Sequence, residues 1–360
     1  MKRIFRTFGQ ESFWQVLILS LLLAALVVLS SGLGYMRISF SDVLRIVLAK
    51  LPGMNFLLDG VNSLFPVVIT DVRLPRILTA AAVGAGLALS GVVFQGILLN
   101  PLADPYTLGV SAGAALGASF ALWLNIGIWG IWSVPLFAFI GSGLTLMAVI
   151  YLASSSAGLS SSNLILSGII VSAILSAGVS FIKYMVDDVS FIKYMVDEQV
   201  SVIIFWLMGS FGSKTWADVW LTLGTLTAGL GICGYFSREM NVMALGSRTA
   251  ASLGVDTQKV RMILLITASL VSAVCVSVSG IIGFVGLLVP HIMRTLTGPD
   301  NQRLILVSIF AGAILLLGAD TLTRAVLPHE IPIGVLTALT GGPFFCYIYR
   351  KRQTGGIHDD

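Results

Sequence analysis

Two groups of ionisable residues in this chain stand where they could do chemistry. One is a polar island, 237–261, which separates two apolar runs and carries Arg238, Glu239, Arg248, Asp256, Lys259 and Arg261. The other is a set of arginines at the ends of apolar runs: Arg73, Arg76 and Arg324. Between residues 106 and 182 there is no Asp, Glu, Lys, Arg or His at all. Two nucleotide motifs tempt and fail. Gly229-Leu-Gly-Ile-Cys-Gly234 matches GxGxxG but lies inside an apolar run with no strand before it, and a dinucleotide site needs strand, turn and helix start together. Residues 209–215, GSFGSKT, resemble a phosphate loop but lack the spacing that lets backbone amides and lysine meet the phosphates.

His291, His329 and His358 are not paired at ligand spacing. His291 follows Pro290 near a helix end and reads as an interfacial cap, while His329 sits beside Glu330 in a loop where it could touch a substrate or a partner. Cys233, Cys275 and Cys346 fall in apolar runs without CxxC spacing and read as small core residues. No Ser/His/Asp or HExxH set is present, so neither an enzyme nor a metal site is expected.

The elements that hold these residues are set by the composition: 56% hydrophobic, 11% charged and a mean hydropathy of +0.96, against about 25% charge in soluble domains. This is a polytopic membrane protein, and backbone groups in lipid must be paired internally, which points to an all-α bundle. Ten spans are expected, at 13–34, 75–98, 106–126, 131–153, 163–183, 217–236, 262–283, 284–297, 304–322 and 333–349. Lys2, Arg3 and Arg6 precede the first, but that run is too long for a leader peptide and has no clear cleavage site, so it reads as a true span. An even number puts both termini on one side, and the basic ends Lys2-Arg3 and Arg350-Lys351-Arg352 make that side cytoplasmic.

Gly109, Gly113 and Gly117 form a small-xxx-small stripe that lets helices approach closely. Residues 39–65 mix Asp42, Arg45, Lys50 and Asp59 with apolar positions and read as an amphipathic outer segment. Within the island, Ser247 is placed to cap a short helix through Leu253, Gly254 supplies its stop, and Asp256 can cap the next span. Such a glycine-turned knob fits a cleft on a partner, and it equally fits an ordinary solvated loop. A transporter with uncharged spans has no obvious group for harvesting an ion gradient, which directs attention to the island as the point of energy input.

Asp71-Val-Arg-Leu-Pro-Arg76, the Gly-rich run 84–96, Asn100-Pro-Leu-Ala-Asp-Pro105, Leu108-Gly-Val-Ser-Ala-Gly113, Ala250-Ala-Ser-Leu-Gly-Val-Asp256, the run from Gly280 to His291, Gly318-Ala-Asp320, and Glu330-Ile-Pro-Ile-Gly334 through Gly341-Gly-Pro343 stand in an order that resembles one family. It is the FecCD-type, BtuC-like permeases of type II ABC importers for ferric siderophores, haem or cobalamin, and the resemblance covers 13–350. It implies one transmembrane permease domain over 1–350, a cytoplasmic tail at 351–360, and a homodimer of ten-helix subunits in a bacterial cytoplasmic membrane. It further implies two cytoplasmic ABC ATPase subunits, which hold the ATP and Mg, and an extracytoplasmic binding protein that delivers a metal chelate. No cofactor on this chain and no nucleic acid is implied.

By resemblance, Arg73, Arg76 and Arg324 receive glutamates of the binding protein; the plainer reading is snorkelling to lipid phosphates. The segment 238–261 becomes the ATPase coupling segment, with Ala244, Arg248, Ala251, Leu253, Gly254, Asp256 and Arg261. Asn100, Leu102, Ser160, Ser161 and Ser162 match the inner gate, although small hydroxyl residues also suit any tight turn. The alternative from another class is an ion-coupled secondary transporter, since broken helices can bind sodium through carbonyls and hydroxyls. Uncharged spans rich in Gly, Ser and Ala suit a wide neutral pathway, and a ferric siderophore is the expected cargo ahead of haem and cobalamin.

One segment departs from the family pattern: residues 179–188 are followed at once by 189–198, identical in nine of ten positions. Ten more helical residues would lengthen a rod by about 15 Å and turn the downstream chain by about 280°. The extra copy of this outer gate segment is therefore expected to bulge outward with Lys193, Asp197 and Glu198 solvated. An acquired lid or cargo contact, or an artefact of the gene, are the other readings.

Overall fold

The computed structural model describes residues 10–355 except 35, 37, 51–53, 155–158, 189–192 and 327–329, and every regular element among the described residues is helical. We number the helices α1 (Gln10–Gly32), α2 (Phe40–Leu48), α3 (Leu74–Leu98), α4 (Val110–Trp123), α5 (Ser133–Ala153), α6 (Ser161–Asp188), α7 (Lys193–Leu207), α8 (Trp216–Tyr235), α9 (Ser237–Met243), α10 (Ser247–Ser252), α11 (Thr257–Ser279), α12 (Val285–Thr297), α13 (Asn301–Val326) and α14 (Ile333–Gly355). A helical turn at Leu64–Val67 and a π-turn at Val68–Arg73 lead without a break into α3. Each of the ten expected runs holds one helix: α1, α3, α4, α5, α6, α8, α11, α12, α13 and α14. Among the described residues, seven helical stretches are long and apolar enough to cross a membrane; α4, the apolar part of α14 and the 13-residue α12 are shorter.

Local chemistry sets the boundaries. The Asp218 carboxylate accepts from both the Thr215 N–H and hydroxyl, each at 2.8 Å, closing a capping box before α8. Ser160 accepts from the Asn163 N–H at the start of α6 (3.1 Å). The run expected at 106–126 becomes helical only at Val110, because Asp104 accepts from the N–H groups of Tyr106 (3.0 Å) and Thr107 (2.9 Å) and holds the chain in a turn. α7 begins at Lys193, within the second copy of the repeated segment.

The glycine stripe does what its spacing predicts. A Cβ on Gly113 would lie 2.4 Å from the Gly141 carbonyl oxygen, and one on Gly117 would lie 2.1 Å from that of Phe137, so α4 packs backbone to backbone on α5. α3 is buried along nearly its whole length among α8, α11, α12 and α13. At mid-length it meets the start of α12 so closely that a Cβ on Gly91 would overlap the Gly286 carbonyl. Buried polar groups in these packed seams bond across helices: Ser90 donates to the Ala268 carbonyl (2.9 Å), Ser142 to that of Val110 (2.9 Å) and Gln95 to that of Leu287 (3.1 Å).

Outward faces are apolar where lipid would lie, as at Phe13, Ile18, Leu21 and Leu22 of α1. α2 is amphipathic with a twist: Val43 and Ile46 are buried against Ile38 and Ile69, yet Phe40, Leu44 and Val47 are exposed. Two expectations need correction. His291 is buried in the middle of α12 rather than capping an interface, and Cys346 is exposed, whereas Cys233 and Cys275 are core residues. His329 and His358 lie outside the described residues.

The bundle has two distinguishable ends. At one, Arg303 of α13 donates to Gln15 of α1 (3.0 Å) and Asn241 of α9 accepts from the Asn301 N–H (2.8 Å). At the other, the Lys214 ammonium donates to the Val278 carbonyl (2.7 Å), the Trp216 indole to that of Thr70 (3.0 Å), and the Gly334 N–H to that of Met208 (3.0 Å). α1 therefore starts at the island end, and α14 runs back to it from the arginine end, so both described termini share one side.

Candidate functional site

The arginine end is built around the C-terminus of α1. The last carbonyls of a helix lack intrahelical partners and carry partial negative charge. Here two guanidiniums supply the donors. Arg73 donates to the carbonyls of Ser31 (2.6 Å) and Met36, and Arg324 donates to those of Leu33 (2.9 Å) and Ser30 (3.1 Å) and to the Ser30 hydroxyl (2.7 Å). Arg76 makes no such contact. Its Nε and Nη2 reach Asp320 at 3.0 and 2.8 Å, and its Nη1 and Nη2 reach the two Glu330 carboxylate oxygens at 3.1 and 3.0 Å. Asp320 also lies 3.5 Å from Arg324.

The three arginines thus share one end, as their positions at helix ends predict, but most of their named contacts lie within the chain. Arg73 and Arg324 cap α1; only Arg76 turns an edge toward an exposed carboxylate. Lys214, nearby, is half-buried and donates to a carbonyl, which removes the cation that a phosphate loop would require; desolvation pushes its pKa down, Asp218 opposes the fall and Arg76 adds to it. The GxGxxG run is ordinary helix within α8. The pairing of Asp320 and Glu330 with Arg76 carries no signal in sequence, because the partners lie some 250 residues apart; the Asp320–Arg324 pair, four residues apart on one helix, was legible.

At the island end, α9 and α10 form the expected knob. Gly254, at φ +85°, ends α10: its N–H donates to the Ala251 carbonyl (3.0 Å), and the Val255 N–H donates to that of Ala250 (3.0 Å). Asp256 accepts from the Lys259 N–H (3.1 Å) and starts α11. Ser247 does not cap α10; Gly246 occupies that position, and the Ser247 hydroxyl accepts from Arg261 at 3.4 Å. Ala244, Arg248, Ala251, Leu253, Gly254 and Asp256 are exposed. Arg261 is buried and donates to the Leu159 carbonyl (2.5 Å), so it fastens the knob to the chain entering α6 instead of presenting a face. Leu245, exposed to 66%, joins Leu253 at 63% on the knob, and sequence reasoning missed it; an apolar residue beside the Gly246 turn was the available signal.

Of the inner-gate candidates, Asn100 follows the left-handed Leu99 (φ +52°) at the end of α3 and accepts from the Leu102 N–H (2.9 Å). Ser160 caps α6, with Ser161 and Ser162 in its first turn. Gly96, one turn before Asn100, sits against Met240 of α9, and Leu159 is held by Arg261, so both segments belong to the island end. The repeated segment divides between two helices: 179–188 completes α6, 193–198 opens α7, and 189–192 lie outside the described residues, as do the side chains of Lys193, Asp197 and Glu198. Among the described residues no group of three His, Cys, Asp or Glu side chains could hold a metal ion.

The family model of the FecCD transport family matches residues 21–351. The chain belongs to that family. It is 37% identical over 338 residues to the uncharacterised ABC transporter permease protein YvrB of Bacillus subtilis, covering 93% of this chain and 92% of that one. It is 38% identical over 299 residues to the cobalamin import system permease protein BtuC of Halobacterium salinarum, covering 83% and 77%. Further relatives are named for molybdate, Fe(3+)-citrate and hemin transport. Among solved structures, an inward-facing metal-chelate type ABC transporter superposes with a TM-score of 0.79 at 34% identity, covering 93% of this chain and 98% of that one. The FecCD chain described here is thus a permease of the ABC-importer type.

Proposed function

We propose that this chain is the membrane-spanning subunit of an ATP-driven importer that receives a ferric siderophore from an extracytoplasmic binding protein and passes it to the cytoplasm by alternating access. The observation that carries the reading is the pairing of spans that offer almost no charge with an exposed, glycine-turned knob at the end where both described termini lie. The subunit works as a homodimer in a bacterial cytoplasmic membrane with that end inside, and each knob, through Ala244, Arg248, Ala251, Leu253 and Gly254, seats in a groove of a cytoplasmic ATPase subunit carrying ATP and Mg. Arg261 and Asp256 hold the knob's shape. Asn100, Leu102 and Ser160 to Ser162 form the inner gate.

At the outer end, Arg76 is the docking arginine, and Arg73 and Arg324 support it by fixing α1. A guanidinium suits bidentate pairing with a partner's carboxylate. The wide neutral pathway favours a bulky chelate over a small oxyanion, and the relatives named for Fe(3+)-citrate, hemin and cobalamin transport agree with that size class. The test of cargo is to load the importer's own binding protein with ferric siderophores, haem, cobalamin and molybdate in turn and measure which is delivered into vesicles holding the assembled importer. Delivery of a ferric siderophore alone supports the proposal; delivery of molybdate and no chelate refutes the cargo assignment.

A further inference from the structure

The guanidinium of Arg76 is held by two carboxylates of opposite character. Asp320 takes the Nε side, is 0% exposed, and is shared with Arg324, so its departure would leave the largely buried Arg324 without a carboxylate and Arg76 with Glu330 alone. Glu330 takes the terminal edge with both oxygens, at 3.1 and 3.0 Å, and its side chain is 54% exposed. An exposed ion pair of this kind is weak and screened by salt. One of the two acids is thus fixed and the other exchangeable, and the exchangeable one presents to Arg76 the same bidentate geometry an incoming carboxylate would.

Glu330 is also placed to report its own displacement. Three residues on, the Ile333 N–H donates to the Gly209 carbonyl (3.1 Å) and the Gly334 N–H to that of Met208 (3.0 Å), tying the start of α14 to the end of α7. A Cβ on Gly334 would lie 2.4 Å from the Met208 carbonyl, so the two segments touch without slack. Three residues of chain therefore separate the Arg76 contact of Glu330 from this junction.

Building on the docking role of Arg76 argued above, we propose that Glu330 is an internal stand-in for the binding protein's carboxylate: it occupies Arg76 in the undocked permease, is displaced on docking, and by leaving frees the junction of α14 with α7. The latch lowers docking affinity by the fraction of time it is closed, and its loss strengthens docking.

The test measures docking of the importer's own binding protein to the complete importer in lipid nanodiscs, at about 50 mM and about 500 mM salt, for wild type, Glu330→Gln, Glu330→Asp and Arg76→Ala. Glu330→Gln is expected to dock about threefold to fivefold more tightly at low salt, the range an exposed ion pair allows. Its affinity should fall more steeply with salt, because in the wild type screening weakens latch and docking pair together. It should also raise ATP hydrolysis without binding protein, and Glu330→Asp should return toward wild type. Unchanged or weaker docking by Glu330→Gln, with Arg76→Ala failing to dock, overturns the latch and leaves the docking role intact. Normal docking by Arg76→Ala overturns both. A lowered melting temperature of Glu330→Gln without tighter docking marks Glu330 as a brace and refutes the proposal.

Discussion

Replacing Gly254 tests the coupling knob through a single backbone angle. The residue stands at φ +85°, and a Cβ built there meets nothing within 4 Å, so any effect of a larger side chain inside this subunit comes from the backbone and not from a clash. The left-handed region costs an L side chain about 1–2 kcal/mol. The turn is closed by two hydrogen bonds, from Gly254 to Ala251 and from Val255 to Ala250, each of net value about 1 kcal/mol. Strain therefore rivals what holds the turn, and a shift of that size changes a local equilibrium by a factor of about 5–30. The bundle is insulated from it, because Asp256 caps α11 independently. Gly254→Val is expected to lose uptake by about that factor, and to release the ATPase subunits on purification, at an unchanged melting temperature. Gly254→Asn, which tolerates this region, should stay near wild type. Wild-type uptake by the Val variant refutes the reasoning, and equal loss by Asn and Val shows that a contact with the ATPase, rather than the turn, is what matters.

Asp320→Ala leaves Arg76 and Arg324 facing each other where both are largely buried, and should lower stability toward denaturation in mixed micelles by about 3–5 kcal/mol; an unaltered transition shows that the buried pair is not what holds α3 to α13. Gly113→Leu should prevent α4 from closing on Gly141 and give a permease that fails to assemble, as read by size-exclusion chromatography; a normal elution profile contradicts the packing. Ser161→Trp should block flux with assembly intact, measured as uptake against recovery of the complex, and normal uptake removes Ser161 from the gate. Deleting Val189 to Glu198 should preserve folding and ATP-driven uptake; loss of uptake with folding preserved makes the repeat part of the mechanism.

The spans were legible because lipid demands long uncharged runs, and the α4 stripe was legible because helical spacing alone brings Gly113 and Gly117 onto one face. The knob was legible in outline from Gly254 and Asp256, whose capping needs are local. What escaped were contacts between residues distant in sequence. Nothing near Arg73 or Arg324 says that the carbonyls of α1 are their acceptors, and nothing near Arg261 points to Leu159. The late start of α4 was missed because the Asp104 turn competes locally with helix in a run whose hydropathy continues unbroken. Ser247 looked like a cap by residue type, but its hydroxyl is drawn to Arg261 and the glycine before it takes the capping position.

ATP hydrolysis, transmitted through the knob, is the proposed driver of transport through uncharged spans. The most direct measurement is uptake of the binding protein's chelate into proteoliposomes holding the permease and its ATPase, with ATP supplied on the knob side. Uptake should require ATP, stop with vanadate, and continue when ionophores collapse proton and sodium gradients. Uptake that survives vanadate and ceases with the gradients would identify an ion-coupled carrier and contradict the ATP-driven mechanism.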